Sequence, residues 1–184
     1  MGYRELGILS IGILWVALAI LLVKWRGHKG MSISLHGASA KAAYILFASI
    51  LVIHGILFHI FLLQWFIPQH NLPISFIVLV NVTMICLYLT AIVPDTPGIL
   101  SKIHRIAAYS MAFLMWVITT HIEISTKLEL PVYILSIVTN AYMLYCMLGL
   151  AFLRRKHIKS YFLPYQAIYI ILFQLVILGA TYLN

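Results

Sequence analysis

The chain has 184 residues, 64% hydrophobic and 9% charged, with a mean hydropathy of +1.05 and a formal net charge of +8. A water-soluble domain of this size cannot hide so much apolar surface, which excludes the soluble classes of enzyme and binding module. The positive charge is accounted for by topology and by anionic lipid headgroups, and no nucleic acid is called for.

Six apolar runs follow one another, at 6–23, 42–66, 73–93, 103–122, 131–152 and 164–183. Each is close to the ~20 residues that carry a helix across ~30 Å of hydrocarbon. None alternates as a barrel strand would. The expectation is a single all-α polytopic membrane domain over 1–184, a bundle of six transmembrane helices. The first run lacks a clear basic leader and a small-residue cleavage site, so it is read as a true span. Cys86 and Cys146 fall inside spans, which argues against a disulfide scaffold. No nucleotide loop, zinc-ligand spacing or nucleophile elbow is present.

Lys and Arg set the orientation. Lys24, Arg26, Lys29, Lys41, Lys102, Arg105, Arg154, Arg155, Lys156 and Lys159 fall on one side, against Arg4 and Lys127 on the other. The positive-inside rule then puts both termini outside the cytoplasm, with the chain integral to the cell membrane.

The first span has no strong polar residue. The loop after it, RGHKGMSISLHGASAK, reads either as a solvated basic segment or as a headgroup cradle built from Ser32, Ser34, His36 and Lys41. The second span carries His54 and His59 and leads into QWFIPQHNLP, whose two prolines read as helix breakers. Between the third and fourth spans lies PDTPGILSKIHR. It holds Asp95, the one acid between Glu5 and Glu123, followed by His104 and Arg105. So rare a carboxylate is expected to have an assigned partner, although a tight turn with an Asp cap would look the same. The basic run after the fifth span reads as a positive-inside loop.

Counting ~1.5 Å per residue puts four polar side chains at one depth, ~16–20 Å from the cytoplasmic ends. They are His54, Asn81, Asn140 and Gln174, and they read as interhelical glue or as the lining of a path. The same count sets His59 and His121 at similar heights, ~27–30 Å up, on two parallel spans. Two such imidazoles can ligate haem iron. His36, His104 and Asp95 share the cytoplasmic layer, where zinc with an open position is a third arrangement to weigh.

At SISLHGASAK, NVTMICLYLTAIVPDT and SKIHRIAAYSMAF the chain resembles a family of small prokaryotic membrane proteins called domain of unknown function 998. More distantly it is similar to the FRAG–DRAM–SFK membrane group. The resemblance spans nearly all of the chain, through short apolar-biased motifs, and implies six spans and a lipid-linked role. It carries Ser32, Asp95 and His104 as site residues, and the pair His54 and His59 departs from its pattern.

Together these readings identify no reaction, and a non-catalytic role is expected before a catalytic one. The first expectation is a lipid-interacting or transporter-like protein with a site at Ser32, His36, Asp95, His104 and Arg105. The second is a b-type cytochrome subunit, with haem b held by His59 and His121. The third is a zinc-dependent membrane hydrolase. Anionic lipid is the expected partner, with membrane-embedded subunits or further copies of the chain beside it.

Overall fold

A computed structural model of the chain describes residues 2–151 and 161–183. The basic run with Arg154, Arg155, Lys156 and Lys159 lies outside the described residues, which are all-helical and contain no strand. Six helical stretches are long and apolar enough to cross a membrane. They form α1 (Tyr3–Lys24), α3 (Lys41–Phe61) with its extension, α5 (Ile74–Ile92), α6 (Ile99–Ser125), α7 (Leu130–Ala151) and α8 (Phe162–Tyr182). A short α2 (Ile33–Gly37) precedes α3. Helix is the physical answer to these runs, because a lipid-exposed backbone must satisfy its own hydrogen bonds.

The second span departs from the expected pattern at its outer end. Pro68 does not stop the helix. A wider π turn over Leu62–Phe66 runs straight into α4 (Ile67–Gln69). The carbonyl that the Pro68 ring would strike belongs to Gln64, four residues earlier, and the wider turn moves it aside. The helix then ends at Asn71, whose φ of 50° is the left-handed conformation that Asn tolerates as a stop.

Packing divides the chain into two units, Met1–Gly27 with Ile33–Leu114, and His28–Ser32 with Met115–Asn184. In the first, α1 packs on α3 and α3 on α5. α1 buries Gly7, Ser10, Leu14, Leu18 and Leu21, a three-to-four spacing that makes one stripe. Since lipid tails are as apolar as leucine, such a stripe stabilises by close packing rather than by escape from water. Gly7 provides that closeness: a Cβ there would lie 3.0 Å from the Phe61 ring. Phe58, Phe61 and Phe66 are fully buried beside it. Arg4 lies over Trp65, 5.5 Å from the ring centre, a cation–π contact.

In the second unit α7 packs on α8. Gly179 admits Val132, whose Cγ1 would sit 3.1 Å from an added Cβ. Tyr142 donates its hydroxyl to the Tyr165 carbonyl at 3.3 Å, and the two rings stack. The Lys29 carbonyl accepts from the Leu163 amide at 3.0 Å, tying the segment 28–32 to the start of α8.

Candidate functional site

The scarce polar residues of the first unit gather where α5 ends and α6 begins. α5 stops at Ile92, and Val93 turns extended ahead of Pro94. Gly98, at φ 118°, makes the sharp return that a residue with a Cβ would resist. α6 then places Ser101, His104 and Arg105 at i, i+3 and i+4, on one face of its first turns.

Asp95 is the hub of this face. Its Oδ1 accepts from the Ser101 hydroxyl at 2.7 Å, and its Oδ2 accepts a longer bond from Ser34 at 3.4 Å. Arg105 Nε stands 3.7 Å from Oδ1. The Asp95 side chain is 6% exposed and that of Arg105 62% exposed. A buried carboxylate thus faces the Nε edge of a guanidinium whose side chain is mostly exposed. Ser101 supplies the strong anchor, because 3.7 Å is too long for a hydrogen bond.

His104 does a different job. It is 2% exposed, and its Nδ1 donates to the Val93 carbonyl at 2.7 Å. The Tyr44 hydroxyl from α3 donates to the neighbouring Ile92 carbonyl. Both carbonyls are at the C-terminal end of α5, where no helical amide remains to meet them. Each such bond contributes about 1 kcal/mol and clamps three helix ends together. The carbonyl also fixes the tautomer: with the proton on Nδ1, the neutral ring presents Nε2 as an acceptor. Nε2 is buried, with no hydrogen-bond partner among the described residues.

Of the five residues expected at this site, Asp95, His104 and Arg105 come together. His36 is buried in α2, and its carbonyl accepts from the Ser39 hydroxyl at 2.6 Å. Ser32 belongs to the segment of the second unit, and the serine that reaches Asp95 is Ser34 of α2. Ser101 is an addition; its i−3 spacing from His104 was the available signal. The zinc arrangement is corrected, since no three His, Cys, Asp or Glu side chains gather to hold a metal ion among the described residues. His104 turns its Nδ1 to a backbone carbonyl, and two serines occupy the oxygens of Asp95.

The residues expected at one depth find partners that depth does not specify. His54 Nδ1 donates to the Ser10 carbonyl of α1 at 3.1 Å and stacks on Phe58. Asn81 Oδ1 accepts from His59 Nε2 at 2.9 Å, while its Nδ2 donates to the Ile77 carbonyl. That bond puts the proton of a neutral His59 on Nε2, leaving Nδ1 as its open nitrogen. In the second unit Asn140 contacts Thr120 and Glu123, and Gln174 is buried. His121 is half-buried in the same unit. Cys86 and Cys146 are free thiols. No protein family, no curated protein and no solved structure matches the chain.

Proposed function

We propose that this integral membrane protein binds the phosphate of an anionic lipid headgroup at the membrane face that carries most of its Lys and Arg, which we take as cytoplasmic. One observation carries the reading: Asp95, held by Ser101 at 2.7 Å, lies 3.7 Å from Arg105 Nε, and the Arg105 side chain is mostly exposed. Guanidinium presents a planar fork that fits a phosphate in two-point fashion. Fixing the side chain beforehand lowers the entropy lost when the lipid docks. No bond is made or broken in this reading, and the role is non-catalytic.

The test is the lipid that stays with the purified protein. Wild type should retain anionic lipid through detergent washing, Arg105→Lys should retain part of it, and Arg105→Ala should lose it. Equal retention by wild type and Arg105→Ala would end the proposal.

A further inference from the structure

A second polar cluster lies in the other unit and takes no part in the headgroup reading. Glu123 sits two residues before the end of α6, but helical side chains slant back toward the N-terminus. Its carboxyl group therefore reaches Asn140, with 2.5 Å between Glu123 Oε2 and the Asn140 amide. Asn140 lies ten residues into α7, about 15 Å along a helix that crosses about 30 Å of hydrocarbon. Glu123 has no ion pair among the described residues. A carboxyl group at that depth without a countercharge marks a functional position.

The protons of the cluster can be counted. The Thr120 hydroxyl is 3.0 Å from the Trp116 carbonyl and 3.2 Å from the oxygen side of the Asn140 amide. It has one proton and cannot donate to both. If an ionised Glu123 accepts from Asn140 Nδ2, the 2.5 Å separation is also short for an N–H···O bond, even a charge-assisted one. Both difficulties vanish when the Asn140 amide is turned over. Its Nδ2 then donates to Thr120, Thr120 donates to Trp116, and its Oδ1 accepts from a protonated Glu123. A distance of 2.5 Å falls at the short end of the O–H···O range and below that of N–H···O. The two amide orientations are alike in shape and differ only in where the protons are.

We propose that Glu123, Asn140 and Thr120 form a proton-binding site within the membrane, in which Glu123 holds the proton and Asn140 reports its presence by the orientation of its amide. The ligand is H⁺. Ionisation of Glu123 returns the amide to the donor orientation, in which the Thr120 hydroxyl turns from the Trp116 carbonyl to Asn140 Oδ1 and the Glu123–Asn140 contact lengthens. Other titratable groups on the elements of this unit are His121 on α6, Lys127 and Glu129 in the turn, Tyr133, Tyr142, Tyr145 and Cys146 on α7 and Tyr165, Tyr169 and Tyr182 on α8. None forms an ion pair with Glu123 among the described residues.

The experiment uses the full chain in liposomes at neutral pH and a membrane-soluble carbodiimide, dicyclohexylcarbodiimide. The reagent adds to a protonated carboxyl group: a carboxyl oxygen bonds to the central carbon and the acid proton passes to nitrogen. Peptide mass spectrometry should find Glu123 modified and Asp95, paired with Arg105, unmodified. Infrared difference spectra of wild type against Glu123→Gln should show a carboxylic-acid C=O band, and Asn140→Leu should move that band. Absence of both the adduct and the band at neutral pH would overturn the proposal. So would an unmoved band in a folded Asn140→Leu variant, which would show that the acid is not bonded to the amide. Suppression of labelling by sodium but not by choline at constant pH would overturn it as well, in favour of a metal-cation site.

Discussion

Substitutions at the Asp95 hub should separate what holds the fold from what holds the lipid. Asp95→Leu removes the acceptor from the 2.7 Å bond to Ser101 and from the longer bond to Ser34, and leaves both hydroxyls buried. A hydrogen bond to a charged group contributes about 1.5–3 kcal/mol, and the hydroxyls recover part of the loss by turning to their own helices. The expected destabilisation is about 2–3 kcal/mol. Asp95→Asn keeps one acceptor oxygen and should cost about 1 kcal/mol. Arg105→Ala should cost at most about 1 kcal/mol, because the arginine is mostly exposed and its pair is screened. Thermal unfolding in detergent, followed by a thiol-reactive dye on the free thiols Cys86 and Cys146, reads this order. Lipid retention should not follow this order: Arg105→Ala, the mildest for stability, should be the most damaging to it. If Arg105→Ala unfolds the protein as readily as Asp95→Leu, the ion pair and not the serine bond anchors the carboxylate, and the reasoning fails.

Three further outcomes are expected. Gly7→Leu should prevent α1 from seating on Phe61 and lower the unfolding midpoint more than Gly12→Leu, since nothing lies within 4 Å of a Cβ at Gly12; equal effects would contradict the packing account. Gly98→Ala should cost about 1–2 kcal/mol through its φ of 118° alone, as open space surrounds that position, and circular-dichroism melts would read it. Asn81→Leu should be mild, about 0.6 kcal/mol, as is usual for interhelical bonds in membranes. A loss of several kcal/mol on chemical unfolding would show that the His59–Asn81 bond is a principal tie.

Elements were legible in this sequence and partners were not. Six runs of apolar residues are long enough to be spans, and the helices begin and end within a few residues of where hydropathy changes. The Pro68 passage was misjudged because a proline is tolerated wherever an upstream π turn removes its clash, and periodicity does not show such a turn. Asp95 stood out by rarity, and the i+3 and i+4 spacing from Ser101 puts His104 and Arg105 on its face. Counting along helices gives height but not azimuth. Height brought His54 and Asn81 to one level, whereas their rotation about the axes sends one to Ser10 and the other to His59. Glu123 was passed over because its backbone lies at the end of a span. Only the backward slant of its side chain brings the acid to Asn140.

The central claim, that Arg105 recognises a lipid phosphate, is tested most directly by native mass spectrometry of single protein–lipid complexes. Dissociation constants would be measured for phosphatidylglycerol and phosphatidylcholine on wild type and Arg105→Gln. A charge-assisted fork worth about 1.5–3 kcal/mol predicts a preference of wild type for the anionic lipid of roughly tenfold to a hundredfold, lost in the variant. The same affinity for both lipids in wild type, or an undiminished preference in Arg105→Gln, would contradict it.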